Sequence, residues 1–303
     1  MSSPPRLLLS FAIRSRRSSG IALVAVLWVV SLLAAIATSF ATTQRTEVVG
    51  ARNQIGNAEA RALADAGLHR AVLALASEGE AAARDGRARD WVFDGARVTT
   101  AVQAEGGKID LNGAEVGLLA GLFAAAGARD PEALAAAVAD FRDADSDPRP
   151  RGAEDADYRS AGLAWEAKDR PFERRDELLQ VLGMTRGVYD AVAPVVTVYA
   201  RSKGIDPATA PAAALAALPG MSAAQAEALA AGRGGGTGVF GLGNLGGALG
   251  DNPYLVPSAI PMVTIRAEAE AEGGAVFVRE AVVALTPGAR KPFHILTWEQ
   301  GRR

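Results

Sequence analysis

The densest chemistry in the chain lies between Asp143 and Asp157. Asp143, Asp145 and Asp147 alternate along one short run, and Glu154, Asp155 and Asp157 follow after Pro148-Arg149-Pro150-Arg151. Counted as loop positions, Asp143, Asp145, Asp147 and Glu154 fall at 1, 3, 5 and 12, a spacing that aims carboxylate oxygens at a calcium ion. Calcium takes about six to eight oxygens in a forgiving geometry, so short acidic side chains on a folded loop suit it. The sixth position is Pro148, where a helix–loop–helix calcium site needs a turn glycine, so the ion is expected without that fold. Carboxylates held together repel one another, so calcium is expected to order the loop and chelation to loosen it. The same residues also read as a solvated acidic loop with arginine neighbours. They are formally a paired-carboxylate hydrolase as well, but no sugar-binding aromatic cluster accompanies them.

Other chemistries find little to stand on. With no cysteine there is no disulfide framework, thiolate metal site or thiol nucleophile. The two histidines, His69 and His294, fall in a helical and a strand pattern and read as structural. No Gly-x-Ser-x-Gly elbow, HExxH helix or Walker loop is present, and an enzyme is not expected. Gly241-Leu242-Gly243-Asn244-Leu245-Gly246 matches a dinucleotide fingerprint, but it sits within the glycine-rich run 232–250 with no apolar strand before it, and reads as a linker. Leu218-Pro219-Gly220-Met221, and less well Leu182-Gly183-Met184, resemble the hairpin glycine of helix-hairpin-helix units that hold a DNA phosphate. The alternative reading is therefore a membrane-anchored helix-hairpin-helix DNA-binding protein of a DNA-uptake or type IV pilus system. A glycine that merely ends a helix at positive φ explains the same residues, and only Arg233 follows to meet a phosphate. Past the first twenty residues the chain carries 28 basic against 34 acidic residues, so a nucleic-acid partner is not expected.

The elements that must position these groups begin with Ile21 to Ala41, an uncharged stretch that as a helix spans roughly 30 Å, the thickness of a bilayer core. Arg6, Arg14, Arg16 and Arg17 precede it, which puts the N-terminus in the cytoplasm and the bulk of the chain across the membrane. A secretory signal peptide is the competing reading, with Ala35 to Ala41 supplying small residues for cleavage. Leu63, Ala66, Gly67, Ala71 and Leu75 continue at helical spacing, so one helix is predicted over 21–76. A charged connection is predicted over 78–89, and strands over 97–104, 262–272, 275–285 and 293–299, with Gly273-Gly274 as a hairpin turn. Between the outer strands, about 150 residues keep helical periodicity. Within them Lys108-Ile109-Asp110 with Leu119 and Leu122 is echoed by Ile205-Asp206 with Leu215 and Leu218.

Arg16-Arg17-Ser18-Ser19-Gly20 abutting the apolar run resembles the leader end of prepilins and pseudopilins, and Ala64-Asp65-Ala66-Gly67-Leu68 resembles their AEAGL run. Together with the acidic motif that ends in Gly152-Ala153-Glu154-Asp155 and Tyr158, the chain is similar to the protein K family of minor pseudopilins of type II secretion (GspK). The resemblance implies cleavage by prepilin peptidase between Gly20 and Ile21, with the apolar helix retained. Most pseudopilins carry glutamate at the fifth mature position; here it is Ala25, as in protein K, which is thought to cap the filament. It further implies an α+β fold, a pilin-like long N-terminal helix with a small antiparallel sheet interrupted by a large inserted all-α domain. The expected division is a leader at 1–20, the membrane and filament-core segment at 21–41, the rest of the helix and first strand at 42–112, the insert at 113–257 and the last strands at 258–303. Calcium is the implied ion, with Asp143, Asp145, Asp147, Glu154, Asp155 and Asp157 as ligands. Minor pseudopilins I and J, the inner membrane and secreted substrates are the implied partners. The implied role is to initiate or cap the pseudopilus that exports folded proteins across the outer membrane.

Overall fold

The computed structural model describes residues 19–78, 83–93, 95–233, 252–258, 260–286 and 288–302. Residues 1–18 of the leader and 234–250 of the glycine run lie outside them.

One helix, α1 (Ser19–Glu78), runs for 60 residues. Two compact units divide it, the first ending at Ile55 and the second beginning at Gly56. In the first, Ile21–Phe40 is a 20-residue span of mean hydropathy 2.6 with every described side chain exposed. The Thr38 hydroxyl donates to the Ala34 carbonyl at 2.8 Å, so this polar group is satisfied within its own helix, as lipid requires.

In the second unit α1 turns a small-residue face onto a sheet. Ala60, Ala64, Leu68, Val72 and Leu75 recur three to four residues apart and are buried. Gly67 belongs to the same face: a Cβ there would stand 2.7 Å from Val98 Cγ1, so glycine lets the helix lie this close to the strands. The sheet has order β1-β2-β5-β6-β7, antiparallel throughout, from β1 (Asp85–Phe93), β2 (Ala96–Ala104), β5 (Met262–Glu270), β6 (Val276–Leu285) and β7 (Phe293–Gln300). Val98 and Val102, Val263 and Ile265, and Ala281 and Val283 alternate onto the face under α1. Gly273 and Gly274, at φ +101 and +82, make the β5–β6 turn that a side chain would strain. The edge strand β1 occupies part of what reads in sequence as a charged connection. Its arginines and aspartates face solvent, so it shows little apolar alternation to find.

Between β2 and β5 lies the helical insert. It comprises β3 (Ile109–Asp110), α2 (Val116–Ala125), α3 (Pro131–Arg142), α4 (Asp155–Ser160), α5 (Arg186–Val192), β4 (Val196–Thr197), α6 (Ala212–Leu215) and α7 (Ala223–Gly232). Its core joins Leu118 and Phe123 of α2 to Val138 and Phe141 of α3 and to Tyr158 and Leu215. The insert departs from the all-helical expectation in one respect. β3 pairs in parallel with β4, and Ile205 bridges in parallel to Leu255. The echo in the sequence falls on two Ile-Asp pairs whose aspartate bonds the following turn: Asp110 accepts from the Asn112 and Gly113 amides, and Asp206 from the Ala208 amide.

Candidate functional site

The acidic segment leaves the C-terminal end of α3 and returns at α4, and its frame is Asp140. This residue is wholly buried, and its carboxylate accepts from the Arg149 amide at 3.2 Å, the Ala153 amide at 2.9 Å and the Arg149 guanidinium at 2.7 Å. A Cβ on Gly152 would fall 1.8 Å from Asp140 Oδ2, so only glycine allows this closure. Arg151 sits at φ 68 and turns outward to pair with Asp130 and Glu132 at the start of α3. Arg142 is spent on the Leu111 and Ala114 carbonyls.

On this frame several carboxylates converge without partners. Glu154 is only 4% exposed, yet neither of its side-chain oxygens has a hydrogen-bond partner. Asp143 Oδ1, Asp155 Oδ1 and Asp169 Oδ1 are likewise shielded and unpartnered. Burial, followed by the charges of Asp140, Asp143, Asp169 and Asp145, pushes the Glu154 carboxyl up to about 7. Asp169, at φ 52, is raised by burial and by Asp155, Asp143, Glu166 and Asp145. Buried unpaired carboxylate oxygens are costly, and the mutual repulsion of their charges adds to that cost. Below them lies Tyr158, fully buried, its hydroxyl accepting from the Leu182 amide at 3.1 Å and its pKa pushed up to about 12 by burial.

The residues predicted as ligands separate into two groups. Asp143, Glu154 and Asp155 join the unpartnered set. Asp145 is exposed, and its carboxylate accepts from the Asp147 amide; Asp147 is exposed too. Asp157 accepts from the Glu154 amide at 3.0 Å and so caps α4. Among the described residues, no group of three or more His, Cys, Asp or Glu side chains is placed to hold a metal ion, and Asp143 Oδ2 is taken by Arg149. Sequence reasoning missed Asp140 and Asp169. Asp140 reads as part of the α3 periodicity, and Asp169 lies beyond α4 with no local spacing to link it to the loop.

At the other end of the chain, α1 carries Gly20 in its first turn, and Ile21 and Ala25 are exposed on it. In the insert, Gly220 takes φ +76 before α7, with no atom within 4 Å of a Cβ there, and Gly183 takes φ +84. Arg233, the one cation after that turn, donates to the Ala210 carbonyl. Gly220 therefore stands in the turn between the end of α6 at Leu215 and the Ser222 cap of α7, instead of closing a helix, and the Nε and Nη2 atoms of Arg233 are buried, away from a phosphate arriving from solvent.

A membrane-length apolar helix that continues onto a small antiparallel sheet, with a helical domain set between neighbouring strands, defines a pilin-like protein with an inserted domain. Residues 98–201 match the model of type II secretion system protein K. The fold is similar to a chain in the crystal structure of the GspK–GspI–GspJ complex from the enterotoxigenic Escherichia coli type 2 secretion system, at TM-score 0.51 and 17% identity over 86% of this chain and 99% of that one. No curated protein sequence gives a match.

Proposed function

We propose that the chain is held in the inner membrane by its apolar helix, with its N-terminus cytoplasmic and its bulk periplasmic, and is cleaved after Gly20. It then begins or caps the periplasmic pseudopilus. The observation that carries this reading is the single helix α1, whose first part is apolar on every described face and whose last part is packed on the sheet. Such a helix serves as a lipid anchor and later as a packing element between subunits. Ala25 supports a tip position, since a subunit with none above it has no neighbouring amine for a glutamate to meet. The similar crystal structure is of a complex of K with I and J, and we take minor pseudopilins I and J as partners here, together with secreted substrates. The work is assembly and not catalysis.

The same reading includes calcium. Asp143, Glu154, Asp155 and Asp169 supply the unpartnered oxygens, with Asp145, Asp147 and Asp157 beside them on the loop and on α4. The ion supplies positive charge to a cluster that otherwise repels itself. Mass analysis of the mature chain from cells with and without prepilin peptidase tests the class. A start at Ile21 only when the peptidase is present is expected, and a product starting downstream of Ala41 overturns it.

A further inference from the structure

Arg149 Nη1 touches two carboxylates, Asp140 Oδ1 at 2.7 Å and Asp143 Oδ2 at shorter range. The two are held differently. Asp140 is wholly buried and keeps two backbone amide donors, from Arg149 and Ala153, whatever the guanidinium does. Asp143 is part-exposed, Arg149 is its one ion-pair partner among the described residues, and its other oxygen is shielded without a hydrogen-bond partner, as both oxygens of Glu154 are. Glu154, more than nine-tenths buried with both oxygens free, fixes where positive charge is wanted. The guanidinium thus engages Asp143 of that set and leaves Glu154 bare.

Resting on the calcium reading above, we propose that Arg149 competes with the divalent cation for Asp143 and so sets the loop's cation affinity. When the cation takes Asp143, the guanidinium keeps Asp140 and gives up its second partner. Affinity is then tuned by a residue that is not itself a ligand. An ion pair as exposed as this one is worth little in water, so the competition is modest and the cation wins at sufficient concentration.

The test titrates calcium chloride into the full chain in detergent micelles by calorimetry, comparing wild type, Arg149→Gln and Arg149→Lys, each checked for folding by far-ultraviolet circular dichroism. Arg149→Gln is expected to bind about two- to five-fold more tightly. Arg149→Lys, which keeps the charge but not the planar fork that reaches both carboxylates, is expected to fall between the two. Weaker binding by Arg149→Gln overturns the proposal, because Arg149 then builds the loop instead of competing. Arg149→Lys equal to wild type overturns it as well, since the effect is then one of net charge alone. Wild type that does not bind calcium overturns the calcium reading itself, and the role of Arg149 with it, and is told apart by the flat wild-type titration.

Discussion

The Lys108 ammonium lies 2.8 Å from Glu105 Oε1 with both side chains almost wholly out of solvent, at the point where β2 gives way to the helical insert. The Thr264 hydroxyl of β5 accepts from Lys108 at 2.6 Å and donates to Glu105, and the Thr197 hydroxyl of β4 donates to Glu105 too. One carboxylate is therefore shared by the sheet and the insert. Lys108→Met leaves that carboxylate buried and unpaired, and is expected to destabilise the fold by about 3–5 kcal/mol in urea titration. Lys108→Met with Glu105→Gln removes both charges and is expected to recover most of that loss.

The same pair predicts a pH dependence. Burial alone raises the Glu105 pKa, but Lys108 and the hydroxyls of Thr197 and Thr264 outweigh it and hold it below the ordinary value. A depressed folded pKa contributes stability above the unfolded value, near about 4.3, and loses it as pH falls through the folded one. At neutral pH that contribution is fully present, and stability is expected not to vary with pH through this group. The acid limb of a stability–pH curve is expected to flatten in the double variant.

Gly67 sets how closely α1 lies on the sheet. A valine there must displace Val98 and Thr100, whose methyls already stand 2.7 and 3.3 Å from a Cβ, so Gly67→Val is expected to cost about 1–3 kcal/mol. Gly50 in the same helix has nothing within 4 Å, so Gly50→Ala is expected to be neutral or stabilising by up to about 1 kcal/mol. Thermal unfolding of the two variants side by side separates close packing from helix propensity.

How far the sequence reaches follows from whether the signal is local. Ile21–Phe40 and the alternation of Val263, Ile265, Ala281 and Val283 are local patterns, so the long helix and the strands β2, β5, β6 and β7 are legible directly. β1 is not, because an edge strand that shows arginine and aspartate to solvent reads as a connection. The acidic loop announces itself by spacing. Yet the spacing points equally at Asp147, which is exposed, and is silent about Asp140 and Asp169, which the fold delivers from α3 and from beyond α4. Burial sorts these carboxylates, and burial is a property of the packed chain.

Glu154 gives the calcium reading its sharpest sign. In chelator its buried charge is opposed by Asp140, Asp143, Asp169 and Asp145, so Glu154→Gln is expected to raise the melting temperature of the chelated protein. With calcium in excess the order reverses, because wild type gains from binding, by about 2.7 kcal/mol at a hundred-fold excess over Kd, and the variant gains less. Asp147→Asn, on an exposed side chain, is expected to change both temperatures less than Glu154→Gln does. A melting temperature of wild type that ignores chelation counts against the ion.

The membrane role of α1 is tested by where a charge is tolerated. Val30 lies midway along Ile21–Phe40, a span without a charged side chain, and an arginine at such a depth costs about 2.5–3.5 kcal/mol on insertion scales. Val49, equally exposed on the same helix, lies beyond the span, where an arginine side chain meets water or headgroups. Val30→Arg is therefore expected to shift the protein from the carbonate-resistant membrane fraction toward the soluble or degraded one, and Val49→Arg to leave it in place. If both variants stay in the membrane, the apolar stretch does not span it, and the anchor must be sought elsewhere in the chain.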